Sequence, residues 1–169
     1  MNKETVPLKC DFEYAFKFVK TEENFNELWG MKSSTRESMK DWLIASRVKP
    51  EKADICANAC SELVENCIKF SKNDSTSVIS IKIKDRSIIV ETFNESEKEH
   101  KGDIAGAFKE LSQASDPRQL FAEKLLSPSQ QGKGRLGLIK IALETKGKIG
   151  LANEVEDDVI YVKLEMEAK

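Results

Sequence analysis

The residues best suited to chemistry share one face of a predicted helix that follows Pro50 and runs to about Phe70. At about 100° per residue, four polar side chains form one narrow stripe, namely Asn58, Glu62, Asn66 and Lys69. An amide oxygen is a hard ligand for Mg²⁺, an ammonium group pairs with phosphate, and a carboxylate orients a nucleophile. The stripe could therefore serve a metal nucleotide. The competing interpretation is a solvated helix face with i,i+4 pairs.

A second candidate is a glycine-rich segment that leads into another predicted helix. It comprises Gly132, Lys133, Gly134, Arg135, Leu136, Gly137 and Leu138. Glycine amides can approach phosphate closely, a helix N-terminus attracts anions, and Lys133 and Arg135 add positive charge. The segment is suited to phosphate binding, and the alternative is that its glycines only provide a flexible turn.

The elements that must position these residues alternate between helices and strand pairs. Alternating polarity over 8–19 predicts a half-buried strand, and a helix is predicted over 22–46 with a break near 30–35. Hairpins are predicted from strands at 78–84 and 88–92 and from strands at 148–151 and 159–165. Further helices are expected within 95–131 and at 136–144. We therefore predict an α+β fold, a two-layer α/β sandwich whose mixed, largely antiparallel sheet carries helices on one face.

Length and composition restrict the class of protein. The chain has 169 residues, which fits one domain over 1–169. Its charged residues are well mixed and the net charge is −2, so nucleic acid is not the favoured partner. No apolar run approaches the roughly 20 residues that span a bilayer, and the N-terminus lacks the features of a secretory signal. We expect a cytoplasmic protein with reduced thiols and no membrane partner.

The other reactive side chains are more readily explained by structure than by chemistry. His100 stands alone in a charged segment, and a solvated role is favoured over catalysis. Cys56, Cys60 and Cys67 lie along one helix, so small buried side chains are favoured over a zinc site, which needs about four converging ligands. The aromatic residues of the first strand are expected in the core or in a homodimer interface.

The two motifs in this order resemble the ATP-binding domain shared by histidine kinases, gyrase and the Hsp90 chaperones, known as the GHKL superfamily, and most closely its bacterial anti-sigma branch. In that superfamily a helix carries a glutamate and, four residues later, an asparagine, and a later box of the type G-x-G-x-x-G-L heads another helix. Glu62 and Asn66 match the first motif, and Gly132, Gly134, Gly137 and Leu138 match the second. The element order agrees from about residue 8 to residue 166, so the resemblance implies a Bergerat-type ATP-binding fold for nearly the whole chain.

The resemblance also implies ATP and Mg²⁺ as cofactors. Asn66 would hold Mg²⁺, Glu62 would act as the base or orient water, and the glycine loop would cover the triphosphate. The family's adenine-reading motif, an aspartate followed by G-x-G, should fall near Glu91 to Glu97, where this chain has no glycine. Asn94 could accept a hydrogen bond from the adenine amine there, although a neutral amide binds less strongly than a carboxylate.

Two functions are consistent with these residues. The first is an ATP-binding serine/threonine protein kinase of the anti-sigma type in a bacterial partner-switching pathway, with an anti-anti-sigma-like (STAS) domain or a sigma factor as its protein partner. The second is a binding module that kept the fold, lost efficient nucleotide use and acts by holding a partner. Glu62 and Asn66 favour the first, and the missing aspartate and glycines near Asn94 favour the second. The absence of a phosphoacceptor-histidine helix argues against an autonomous histidine kinase.

Overall fold

Helices and strands form two layers in the computed structural model, which describes residues 12–127, 135–151 and 158–168. In chain order the elements are β1 (Phe12–Lys20), α1 (Phe25–Ala45), α2 (Pro50–Phe70), β2 (Ser75–Lys84), β3 (Ser87–Glu95), α3 (Lys98–Gln113), α4 (Pro117–Leu125), α5 (Arg135–Thr145), β4 (Lys148–Leu151) and β5 (Val159–Glu167). The α+β class and the two-layer sandwich are therefore confirmed.

The sheet has the strand order β1-β2-β3-β5-β4, and every pairing between these strands is antiparallel. Both predicted hairpins are present, and β1 adds antiparallel to β2, so none of the described pairings is parallel. Strands joined by a short turn must pair antiparallel. The turn between β2 and β3 places Asp85 at a φ of 54°, a left-handed conformation that aspartate tolerates.

One face of the sheet supplies the strand side of the core. Ile79 and Ile81 on β2 lie opposite Thr92 and Val90 on β3, and all four are buried. Helix α2 covers this face with a stripe of mostly small side chains, namely Ala53, Cys56, Ala57, Ala59, Cys60, Leu63, Val64, Cys67 and Ile68. The three cysteines are free and buried, as predicted.

Helix α1 is continuous from Phe25 to Ala45, so the predicted break near residues 30–35 is wrong. Leu28, Met39 and Leu43 are buried along one side of α1, which packs against α2. The Thr35 hydroxyl donates to the Met31 carbonyl one turn earlier in the helix (2.9 Å). This bond is compatible with helical backbone, so the side chain does not favour a turn at this position. Packing of an apolar face therefore outweighs the weak helix propensity of this segment.

Serine residues attach the C-terminal end of α2 to the sheet. The Ser96 hydroxyl, just after β3, donates to the Phe70 carbonyl (2.7 Å), and the Ser71 and Ser77 hydroxyls lie 2.8 Å apart. The ammonium of Lys20 donates to the Ser71 carbonyl (2.8 Å). The last carbonyls of a helix have no partner within the helix, so these donors satisfy them and fix the end of α2 beside the end of β3.

We expect Leu63→Ala to lower the free energy of unfolding by about 2–5 kcal/mol, because Leu63 is 2% exposed and the substitution leaves a cavity beneath α2. Leu126→Ala is the matched control, since Leu126 is 86% exposed and its loss should change stability by less than about 0.5 kcal/mol. Urea denaturation of both variants measures the difference. Equal effects would contradict the assigned core.

Candidate functional site

Several of the predicted site residues meet at one small cavity between α2 and the ends of β3 and β5. The cavity has a volume of about 10 Å³. Its lining consists of Leu63, Asn66, Cys67, Phe70, Thr92, Asn94, Ile104, Leu138, Ile160 and Val162. The structure thus brings Asn66 of the first motif, Leu138 of the second and Asn94 of β3 to one place, although the three are far apart in the sequence.

Asn94 lies in the buried wall of this cavity. Its side chain is on the helix-facing side of β3, opposite Ile160 of β5, and the residue is 6% exposed. The amide oxygen accepts a weak hydrogen bond from the Cys67 thiol (3.7 Å), and the amide nitrogen has no hydrogen-bond partner among the described residues. Burial raises the pKa of Cys67 to about 12, so this thiol keeps its proton and acts as a donor. An unpaired buried N–H group is costly, and it leaves a donor at the cavity for a ligand or a water molecule.

Glu62 links the two motifs directly. Its carboxylate accepts a hydrogen bond from the Lys140 ammonium of α5 (3.0 Å). This ion pair raises the pKa of Lys140 above its ordinary value. A Cβ atom at Gly137 would lie 3.2 Å from the second carboxylate oxygen of Glu62, so glycine allows this carboxylate to approach α5 closely. This second oxygen accepts no hydrogen bond from the part of the chain that the structure describes.

Asn66 is one turn further along α2 and faces the same cavity. It is half-buried, and its amide makes no hydrogen bond to another described residue. Its oxygen is thus available as a hard ligand for a cation. Within the described ranges, no three His, Cys, Asp or Glu side chains are placed to share a metal ion. A magnesium ion would have to complete its coordination with water and phosphate oxygens, which Mg²⁺ commonly does in nucleotide sites.

The remainder of the predicted stripe on α2 is directed to α1. The Asn58 oxygen accepts a hydrogen bond from Arg36 (2.7 Å). Lys69 pairs with Glu65 (2.5 Å), which Lys32 of α1 also contacts. Burial opposes ionisation of Glu65, but the hydrogen bonds from the two lysines hold its pKa below the ordinary value. The role of Lys69 toward phosphate stays a prediction.

The predicted glycine loop is described only in part. Gly132, Lys133 and Gly134 lie outside the described residues, and Arg135 is the first residue of α5. Gly137 and Leu138 are in the first turn of this helix, beside Glu62 and the cavity respectively. The part of the second motif that the structure describes therefore meets the first motif at two points, Gly137 beside Glu62 and Leu138 with Asn66 in the cavity lining.

Two contacts of the site were not predicted from the sequence. The pairing of Lys140 with Glu62 joins residues 78 positions apart, which no local pattern reveals. His100 was expected in solvent, but it is half-buried, and its ring lies 5.1 Å from that of Phe70 at the cavity. Its Nδ1 atom is buried and has no hydrogen-bond partner within residues 12–127, 135–151 and 158–168. Its position four residues before Ile104 on α3 places both on one helix face, and this spacing could have indicated its burial.

Comparison with known proteins supports the fold. No protein-family profile matches the chain, and no curated protein matches it. The structure is similar to a chain in the crystal structure of the SiaB–SiaC complex from Pseudomonas aeruginosa, with a TM-score of 0.58 and 16% sequence identity over 90% of this chain and 88% of that chain. At this identity the likeness shows the fold alone. In the part of the chain that is described, no helix is both long and apolar enough to cross a membrane.

We expect Asn94→Leu to raise the free energy of unfolding by about 1 kcal/mol, because an apolar side chain of similar shape removes the unpaired buried N–H group. The matched control is Ser96→Ala, which removes the satisfied bond to the Phe70 carbonyl and should lower stability by about 1 kcal/mol. Urea denaturation shows whether each variant has a higher or a lower free energy of unfolding than the parent. If both variants lose stability equally, the Asn94 amide is fully paired in the folded protein.

Proposed function

We propose that this chain is an ATP-dependent regulatory serine/threonine protein kinase of the anti-sigma type, acting on a small STAS-like partner in a bacterial partner-switching pathway. One observation carries the proposal. Asn66 on α2, Asn94 at the end of β3 and Leu138 on α5 line a single cavity. Glu62 lies one turn before Asn66 on α2 and closely approaches Gly137, the residue before Leu138. These are the positions that the resemblance to the GHKL superfamily assigns to catalysis, magnesium, adenine and the glycine box.

The polar groups of the cleft fit a nucleotide. The Asn94 amide presents a buried donor, which no described residue pairs with, beside its acceptor oxygen, and this arrangement suits the edge of a purine base. The Asn66 amide oxygen suits Mg²⁺, which when bound would neutralise charge on the phosphates. The volume does not fit as it stands, since about 10 Å³ holds about one water molecule. Binding of a base therefore requires that α3 and α5, which contribute Ile104 and Leu138, move away from α2.

Different residues of the chain would have different roles in phosphoryl transfer. Glu62 would accept the proton of a serine or threonine hydroxyl on the partner, through the carboxylate oxygen that Lys140 does not bind. In the closed structure Lys140 orients this carboxylate through its hydrogen bond, and the displacement of α5 that would admit a base would release it. Asn66 would hold the cation, and Lys133 of the glycine loop would add positive charge near the phosphates, whereas Lys69 pairs with Glu65. Positioning and charge neutralisation account for most catalysis in this class of reaction.

A protein partner is supported by the structural neighbour. The chain to which this fold is similar was crystallised in a complex of two proteins, SiaB and SiaC. The long helix α1 also has exposed apolar side chains, Phe25 and Met31, that a partner could cover. Regulation through a protein complex therefore suits this fold.

The closed cavity favours a second candidate, a regulator that kept the fold and binds a partner without efficient nucleotide use. Ligand pockets usually measure about 300–1,000 Å³, far more than this cavity. A titration with labelled ATP, with and without Mg²⁺, separates the candidates. Saturable binding supports the kinase, and no binding at millimolar ATP supports the binding module.

Glu62→Gln should preserve ATP binding and lower phosphoryl transfer to a STAS-domain protein of the same organism by about 10²–10⁴-fold, because the amide keeps the shape of the carboxylate but accepts no proton. Glu65→Gln is the matched control on the same helix, since Glu65 is paired with Lys32 and Lys69 and should leave transfer unchanged. Radiolabelled ATP measures transfer in both variants. Parental rates in Glu62→Gln would remove Glu62 from the chemistry.

Asn66→Ala should abolish the Mg²⁺-dependent part of ATP binding in a protein that remains folded, because the variant lacks the amide oxygen that would hold the cation. Asn58→Ala is its control, since the Asn58 amide on the same helix contacts Arg36 and not the cavity. Calorimetry with ATP in the presence of Mg²⁺ or EDTA gives the affinities, and circular dichroism checks the fold. The magnesium assignment fails if Asn66→Ala retains the full Mg²⁺ dependence.

A further inference from the structure

A second cavity lies away from the cleft, where the first turn of α2 comes close to the C-terminal end of α5. Its volume is about 480 Å³. Its lining consists of Lys52, Ser87, Thr145, Lys146, Gly147, Lys148, Glu165, Met166 and Glu167. Lys52 precedes Asn66 by 14 residues on α2, which separates them by about 21 Å along the helix axis. Ligand pockets usually measure about 300–1,000 Å³, so this cavity is distinct from the cleft and large enough for a small molecule.

The hydrogen-bond donors around this cavity are not used by the protein. Three ammonium groups and one hydroxyl make no hydrogen bond or ion pair to any residue that the structure describes, namely those of Lys52, Lys146, Lys148 and Ser87. Lys52 is also half-buried, and an ammonium group that is partly removed from water is destabilised when no acceptor compensates it. The unpaired donors favour an anionic ligand.

Contacts within the protein hold the chain between α5 and β4 in place. The Thr145 hydroxyl donates to a carbonyl one turn earlier in α5 (2.7 Å) and accepts a hydrogen bond from the Gly147 amide (3.0 Å). A Cβ atom at Gly147 would lie 2.6 Å from the carbonyl oxygen of Glu165, so this close approach to β5 requires glycine. Lys146 lies within this turn and Lys148 directly follows it. The backbone of both lysines is therefore ordered before a ligand binds, which lowers the entropic cost of binding.

We propose that this cavity binds the phosphate group of a small phosphorylated molecule. Glu165 and Glu167 of β5 also line it, so three basic and two acidic side chains leave an excess of one positive charge. A single phosphate group carries about 1.5–2 negative charges at pH 7 and is close to this balance, whereas a polyphosphate chain exceeds it. Lysine binds phosphate as a point charge. None of the described lining residues is aromatic, so a ligand that depends on stacking of a base is disfavoured.

Calorimetry of the full chain with glycerol phosphate and with inorganic phosphate tests the site. We expect saturable binding of glycerol phosphate that Lys52→Gln and Lys148→Gln each weaken by about tenfold, because each substitution removes a charge-assisted hydrogen bond. Lys17→Gln is the matched control, since Lys17 is exposed on β1 at the opposite edge of the sheet and its loss should leave the affinity unchanged. Equal affinity for inorganic phosphate would identify the free ion as a sufficient ligand, and weaker binding of the ion would show that the organic part of the ester also makes contacts.

Amide NMR spectra locate the bound glycerol phosphate without any substitution. The amide signals of Lys52 and Gly147 should shift on titration, and those of Asn66 and Gly137 at the cleft should not. Three results would overturn the inference, namely no saturable binding of either compound at millimolar concentration, an affinity that the two lysine substitutions leave unchanged, or signal shifts confined to the cleft. Neither measurement involves ATP or a protein substrate, so its outcome is independent of the proposed kinase activity.

Discussion

Helix α2 packs on the sheet and beside its neighbouring helices α1 and α5, and the rest of this structure depends on that packing. Its buried stripe is mostly alanine and cysteine, so the helix backbone can approach β3 closely. That approach brings Asn66 and Asn94 to one cavity. The polar side of the helix carries Glu62 and Asn58, which accept hydrogen bonds from α5 and α1. The serine hydroxyls at Ser71 and Ser96 then hold the end of α2 in register with the end of β3.

The elements of the fold could be predicted because their patterns are strong. Alternation along β2 and helical spacing along α2 reflect which side of each element is buried, and both are local properties of the sequence. The break expected in α1 was wrong because Gly30 and the serines that follow it have weak helix propensity, whereas the helix is held by the packing of Met39 and Leu43 against α2. Propensity is local, and this packing involves residues distant in sequence.

The site was predictable to a smaller extent, for the same physical reason. Spacing on one helix placed Glu62 and Asn66 on a common face, but it could not show that Asn58 would bond to Arg36 of another helix. Nor could it show that the amide nitrogen of Asn94 would find no partner in the described part of the chain, since its hydrogen bonds depend on elements that meet only in the folded protein. The ion pair between Glu62 and Lys140 is likewise a product of the tertiary structure.

The position of Lys140 on α5 has a thermodynamic consequence. The same helix contributes Leu138 to the cavity wall, so a displacement of α5 that enlarged the cavity would also move Lys140 away from Glu62. Any molecule that prefers the enlarged cavity and any molecule that prefers the released carboxylate would then favour the same conformation. Their affinities would be linked, and each would strengthen the binding of the other by the same factor. A single ion pair between two helices would in this way set the free energy of coupling between the two faces of the cleft.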